Sequence, residues 1–442
     1  MEKIFKFDNG LQLFYIRNNI NKATGINISF SCGSRCDGNL SGLSHFVEHM
    51  FFTGTKEENK EQISQKYFDF IRVNAYTNTR EICFTGEILT NELKDYLSQV
   101  KKMILTSTFT PKAVEEEKKV VIQEIVRDND NYSEKSARHF STLLYGEKYH
   151  SEGVLGNIQS VGSITSKDVK NYVKKYFVAN NCKVYISSPL SFNKVKSLVK
   201  NNFANFLKEN KSLKVLPYFT SSIQTGSRLQ TIKENIDKNF LRIAFKLNWG
   251  YDAPLKKLAT LSLLSNIMED MTDGAINDLR LKNGLIYSAS SYIVHNAHDS
   301  VLVFKTDLSS ENIKQCIDVF SNYIKRLKAN KISSEQLKKY KRIDKYYHEV
   351  EIEDLSDRMF YLKNMIEKSG KYIDEKTYYK EQVKITVEDL NNLIDELFNS
   401  NEFICSIYGN AKKTDIYSLE QINKKLFNWC LTRANKIAYI SQ

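Results

Sequence analysis

Two imidazoles stand four residues apart in the run His45-Phe46-Val47-Glu48-His49. On an α-helix, residues i and i+4 share a face, so both rings can grip one cation from the same side. Glu48 then stands beside that cation, where its carboxylate can take a proton from an attacking water. The set implies zinc-assisted hydrolysis. The competing reading is a solvated helix face, but a chain of 442 residues with only seven histidines seldom produces this pattern by chance. The flanks point to a short, largely apolar helix. Ser44 is expected to cap it, and Gly54 in Met50-Phe51-Phe52-Thr53-Gly54-Thr55 to end it.

A catalytic zinc needs a third protein ligand. The other histidines (His139, His150, His295, His298 and His348) are candidates, and so are the carboxylates of Pro111–Arg127. Pro111 suits a first helical turn, and Val114, Val121 and Ile125 recur at helical spacing, so this stretch reads as an amphipathic helix. Glu117 and Glu124 are seven apart and share a face. Glu124 lies among Val120, Val121, Ile122, Ile125 and Val126, where an unpaired carboxylate is costly. The pattern leaves Glu124 open between a metal ligand and a structural ion pair. Glu115 and Glu116 read as solvent-facing.

The run Gly42–Thr55 resembles the metal motif of the pitrilysin/insulinase family of zinc peptidases, the inverted H-x-x-E-H type. In that family a glutamate, six residues and a ligand glutamate follow some 75 residues after the second histidine. Glu117 and Glu124 match, with Glu124 75 positions after His49. The resemblance extends to Asp8-Asn9-Gly10-Leu11, Gly33-Ser34-Arg35, Asn74-Ala75-Tyr76-Thr77 and Gly284-Leu285-Ile286-Tyr287. It implies that His45, His49 and Glu124 bind one zinc per chain, that Glu48 is the general base, and that Glu117 supports the site from behind. It also implies that Arg280 and Tyr287 hold the substrate near the scissile bond; the plain reading of those two is an exposed helix-end arginine and a core tyrosine. Asn74–Phe84 alternates like an edge strand, so Asn74, Ala75 and Tyr76 are expected to pair with an extended peptide. The family often shows glycines before that asparagine, and this chain has Ile71-Arg72-Val73 instead.

The elements that must position these residues come in two copies. Thr90–Ile104 is similar to Ser310–Ile324: Leu93, Leu97, Val100 and Ile104 correspond to Ile313, Ile317, Phe320 and Ile324, each offset by 220. Each of these helices follows a strand-like stretch and precedes a second amphipathic helix. An α+β fold is expected, with two homologous domains, each a mostly antiparallel sheet packed against helices. Residues 1–207 would be the zinc-binding domain, 208–235 a linker holding Pro217, Ser221, Ser222, Gly226 and Ser227, and 236–442 a non-catalytic domain contributing to substrate binding. The second half has no H-x-x-E-H, and Tyr347 falls roughly where Glu124 lies in the first copy.

Composition narrows the function. Apolar content of 41% argues against disorder, and no apolar run is long enough to span a membrane. The start reads as strand, turn and strand rather than a signal peptide, so a cytoplasmic location is expected. Seven scattered cysteines form no disulfide framework, and Cys32 with Cys36 lacks a second pair to complete a structural zinc site. The net charge of +12 is spread as lysines interleaved with glutamates, without a basic block, so nucleic acid is not an expected partner. The expected function is a zinc metalloendopeptidase acting on short or unfolded peptides, among them a precursor or leader peptide. The resemblance further implies a homodimer, or a heterodimer with a related subunit, because relatives of this length need four such domains to close a chamber. The alternative is a non-catalytic structural subunit of a related complex. Glu48 argues against it, since a scaffold has no use for a general base.

Overall fold

The computed structural model describes residues 2–18, 22–146, 153–217, 221–350, 355–370, 372–400, 402–427 and 439–441. His150, named above, falls outside them, as do Cys430, one of the seven cysteines, and the side chain of Tyr347. The chain is α+β, with two six-stranded sheets that are mostly antiparallel. The first sheet holds β1 (Glu2–Lys6), β2 (Gln12–Arg17), β3 (Ala23–Phe30), β4 (Val73–Thr77), β5 (Ile82–Leu89) and β6 (Cys182–Ser188), in the order β1-β2-β6-β3-β5-β4. The second holds β7 (Arg228–Lys233), β8 (Asn239–Leu247), β9 (Ala289–His295), β10 (Ser300–Leu308), β11 (Phe403–Gly409) and β12 (Tyr439–Ser441), in the order β12-β7-β11-β8-β10-β9. Among the described residues only β2–β6, β7–β11 and β7–β12 pair in parallel. The one topological difference is the outer strand: β1 arrives by a hairpin through Gly10 (φ 90), whereas β12 comes from the chain's far end.

The repeat read from the sequence is present. Helix α3 (Leu93–Thr106) follows β5, and helix Ile313–Asn330 follows β10, their first residues 220 apart as the apolar spacing indicated. Each buries its matching stripe: Leu93, Leu97, Val100 and Ile104 in one, Ile313, Ile317, Phe320 and Ile324 in the other.

The compact units are not two contiguous halves. One comprises Met1–Tyr132, Glu147–Tyr218 and Glu351–Glu367; the other comprises Ser133–Gly146, Phe219–Val350 and Lys368–Gln442. The stretch 208–235, expected as a linker, contains strand β7 of the second sheet. The reason is a layering requirement. Each sheet buries one face under helices of its own half, and its other face needs a cover too. In the second unit, Phe140, Leu143 and Leu144 of the helix Tyr132–Tyr145 pack on Ala244, Val301, Val303 and Ile404. In the first, helix Leu355–Ser369 lies on the other sheet, its Met359 against Gly25. Each covering helix thus comes from the other half of the sequence. Among the described residues no helix is long and apolar enough to cross a membrane.

Candidate metal centre

The motif forms helix α1 (Leu43–Met50), largely buried in the first unit. Its N-terminus is built differently from expectation. Gly42 stands at the N-cap in the left-handed region (φ 89), and a Cβ there would lie 2.4 Å from the Leu155 carbonyl oxygen. The capping acceptor is not Ser44 but Asp37, whose two carboxylate oxygens accept from the amides of Gly42 and Ser44, each at 2.8 Å. Burial pushes the Asp37 carboxyl up to about 7, against the pull of those N–H groups. Gly54 also lies beyond the true end, which is reached at Met50 with Phe51 as C-cap.

Helix α4 (Pro111–Asp128) opens as the sequence indicated, with Pro111 in the first turn and the Thr110 hydroxyl accepting from the amide of Ala113. It packs against α1 and carries Glu117 and Glu124 on the facing side. The Glu124 Oε2 lies 3.8 Å from His45 Nε2 and 3.5 Å from His49 Nε2. All three candidate ligand atoms fall within 4.8 Å of one another, and among the described residues this is the one such group of histidine, cysteine and carboxylate side chains. The separations exceed a hydrogen bond. The two carboxylate–imidazole separations lie near the edge of a tetrahedron about a zinc ion, about 3.4 Å for ligand bonds near 2.05 Å. His45 is buried, and its Nδ1 has no hydrogen-bond partner. The residues present therefore fit a zinc ion.

Two carboxylates complete the setting. Glu117, 5% exposed, accepts at Oε1 from His49 Nδ1 (3.0 Å) and at Oε2 from Lys60 Nζ (2.6 Å) of helix α2 (Lys60–Phe68). A carboxylate on the far nitrogen of a ligating imidazole fixes its tautomer and leaves Nε2 free as the donor atom. Glu48, 9% exposed, receives the Thr77 hydroxyl at Oε2 (2.5 Å). Burial raises the Glu48 carboxyl above its ordinary range, opposed by the Thr77 hydrogen bond and by His49. A carboxylate so raised suits a general base. His45 is held well below the ordinary imidazole range by burial, with His49 adding to the effect. His49 goes the other way: burial would lower it, but Glu117 and Glu124 outweigh that and raise it to about 9.

Two expected outcomes arise here. A cation needs the neutral His49 ring, which without a cation carries a proton at pH 7, so binding should displace about one proton per chain. Affinity should therefore rise with pH, on the order of tenfold per unit up to about 9. Calorimetry in buffers of different ionisation heat measures this, and pH-independent affinity between 6 and 8 would contradict it. Glu117→Gln should weaken zinc about 10- to 100-fold without abolishing binding, measured by competition with a chromophoric chelator. Unchanged affinity would mean that Glu117 serves only the ion pair with Lys60.

The other sequence candidates are placed as follows. Asn74–Phe84 is not one strand but edge strand β4, a turn and the start of β5. Among the described residues β4 pairs on one side only. Asn74 is exposed, Ala75 is buried, and the Tyr76 hydroxyl reaches Glu81 (3.1 Å). In the second unit, the Arg280 guanidinium sits 5.1 Å from the centre of the Tyr287 ring, and Tyr287 is 81% exposed, not a core tyrosine. The helix Leu255–Glu269, which stands in the second unit where α1 stands in the first, buries Leu258, Leu261, Leu264 and Ile267 and has no histidine. His295 bonds Ser300, and His298 bonds Asp252. Sequence reasoning missed Lys60, Asp37 and the role of Thr77. Thr77 stood within a family-like run, whereas nothing local marks Lys60 or Asp37.

Comparison with known proteins bears on this site. Two family descriptions match: "Insulinase (Peptidase family M16)" over residues 13–156 and "Peptidase M16 inactive domain" over residues 163–343. An uncharacterized zinc protease of Bacillus subtilis is 23% identical over 407 residues, 91% of this chain and 97% of the relative. The mitochondrial-processing peptidase subunit beta of Saccharomyces cerevisiae is 22% identical over 407 residues, 87% of this chain and 86% of that one. Among solved structures, a protease from Helicobacter pylori has the same fold, with a TM-score of 0.79 at 19% identity over 92% of this chain and 99% of that one. So does a chain of Complex III2 from Candida albicans, with a TM-score of 0.76 at 14% identity over 96% of this chain and 99% of that one.

Proposed function

Because the chain belongs to the insulinase family of peptidases, family M16, we propose that it is a zinc-dependent endopeptidase that cleaves short or unfolded peptides. The observation that carries this reading is the convergence of His45, His49 and Glu124 at zinc-ligand spacing beside a buried Glu48. Two relatives of known sequence, from Bacillus subtilis and Rickettsia felis, bear the name zinc protease, which agrees with it.

In this reading His45 Nε2, His49 Nε2 and a Glu124 oxygen hold the ion. Bound zinc supplies Lewis acidity, lowering the pKa of a water beside it and polarising a carbonyl. Glu48 takes the proton of the attacking water on a carboxylate oxygen and later delivers it to the leaving amine. The Thr77 hydroxyl holds that carboxylate in one orientation, and Glu117 holds the His49 ring. The exposed β4 edge accepts the peptide by backbone pairing, which tolerates many sequences. Arg280 and Tyr287 are assigned to the substrate by resemblance, their donors available to a developing oxyanion. The first unit is assigned the catalysis, and the second is proposed to contribute to substrate binding. A dimer is proposed, with itself or with a related subunit, and a cytoplasmic location.

The structural-subunit alternative draws on the fold shared with the Complex III2 chain. Fold does not decide between them; the intact His45/Glu48/His49/Glu124 set favours the enzyme. Incubating the protein with a mixed library of unstructured peptides and reading products by mass spectrometry tests it. Cleavage that chelator abolishes and zinc restores is expected. One zinc bound per chain with no cleavage would point to a required partner or a very narrow substrate. Neither zinc nor cleavage would favour the scaffold.

A further inference from the structure

The Glu48 carboxylate accepts the Thr77 hydroxyl, and the chain around Thr77 is in turn held by a buried ion pair that plays no direct part at the metal site. Helix Leu355–Ser369 rests on the open face of the first sheet through residues four apart: Leu355, Met359, Lys363 and Glu367. Glu367 pairs with Lys183 at 2.9 Å and accepts from the Tyr185 hydroxyl. Lys363 goes further in. It is 7% exposed, donates to the Tyr76 hydroxyl at 2.7 Å, and forms an ion pair with Glu81, itself 9% exposed. The Glu81 carboxylate also accepts from Ser29, from the Tyr76 hydroxyl at 3.1 Å and from Asn78 Nδ2 at 3.3 Å. Tyr76 and Asn78 are the two chain neighbours of Thr77. One buried carboxylate therefore holds the side chains on both sides of the residue that donates to Glu48 (2.5 Å).

We infer that Lys363 is a positioning residue: through Glu81, Tyr76 and Asn78 it fixes the β4–β5 hairpin and so aims the Thr77 hydroxyl at Glu48. The inference rests on the reading of Glu48 as general base. Side chains alternate along a strand, so Tyr76 points to the covering helix while Thr77 points to α1. A buried carboxylate cannot stay charged and ordered without its cation, and removing one partner of such a pair is far costlier than never having the pair. Without Lys363, Glu81 must either take a proton or turn toward water. In both cases the clamp around Thr77 loosens while the ligands on α1 and α4 keep their places. Positioning losses of this kind cost rate steeply with small displacements. The helix that carries Lys363 comes from the second half of the sequence, so that half acts on the base without contributing a ligand.

The test has two arms, so that its failure and the failure of the peptidase reading are distinguishable. In hydrogen exchange read by mass spectrometry, Lys363→Met should leave α1 and α4 protected and zinc content unchanged. Amides of residues 74–82 should exchange on the order of tenfold faster. This arm needs no activity. A hairpin as protected as in the wild type would overturn the inference even if no peptide is ever cleaved. In the kinetic arm, Thr77→Val and Lys363→Met should each lower kcat on the order of tenfold, and the double variant should be no worse than Thr77→Val alone. Multiplying effects would mean that Lys363 acts elsewhere. Should Lys363→Met not fold, Lys363→Gln, which keeps a donor in place, is expected to show both changes at smaller size, and wild-type behaviour from it would equally overturn the inference.

Discussion

Glu48→Gln is expected to lower peptide turnover by about three orders of magnitude, within the range general-base removal produces, while one zinc remains bound per chain. The amide is isosteric and still accepts the Thr77 hydroxyl, which reaches Glu48 at 2.5 Å, so the helix and its two imidazoles have no cause to move. What is lost is proton affinity. The wild-type carboxyl is raised by burial, which gives it an appetite for the proton of water that an amide lacks entirely. Single-turnover rates on an unstructured peptide, with zinc measured on the same sample, separate the two quantities. A variant that lost zinc as well would place Glu48 among the ligands, and one that kept full activity would remove it from the chemistry.

His49→Ala is expected to abolish both zinc retention and turnover, a larger effect than any other ligand-side change. Two things go at once. The ion loses a nitrogen donor from a three-residue set, and Glu117 loses the ring it holds at 3.0 Å. Glu117 remains paired with Lys60 at 2.6 Å, so the fold should survive the change and the loss can be read as chemistry rather than unfolding. Glu124→Gln should fall between this and Glu117→Gln. It keeps an oxygen near His45 and His49 but removes the charge that helps hold a divalent cation. Zinc per chain after dialysis, with melting temperature as the control, checks the series. Full zinc retention in His49→Ala would refute the assigned ligand set.

Much of this site was legible from the sequence because its signals are local. His45 and His49 carry helical spacing on their face, and α1 delivers them there. Glu124 is marked by being a carboxylate amid valines and isoleucines, although pattern alone left it undecided between ligand and ion pair. Distance settles only the grouping: the three atoms lie within 4.8 Å. The 220-residue repeat was legible because its apolar stripe recurs on helices that must cover equivalent sheets. What stayed hidden was hidden for a physical reason. Lys60 and Lys363 act on residues they meet only after folding, and neither has a neighbour pattern that distinguishes it from the chain's many other charged residues; Asp37 reaches amides only five and seven residues on, but no familiar capping pattern marks it. The reciprocal covering of the two sheets was equally invisible. The helix Tyr132–Tyr145 reads as amphipathic wherever it packs, and only the open face of a sheet decides which one it joins. The linker was misplaced because Pro, Gly and Ser cluster just before β7, and a strand such as Arg228–Lys233, in which only Leu229 and Ile232 are apolar, does not announce itself as sheet.

A titration joins metal, site and reaction in one measurement. Metal-free wild-type protein is given zinc in steps, and the rate of cleavage of one unstructured peptide is followed against zinc bound. The rate is expected to rise in proportion and to level at one zinc per chain, with Glu48→Gln taking up the same zinc and gaining no rate. Cleavage that proceeds without zinc, or a rate in Glu48→Gln equal to the wild type, would contradict it.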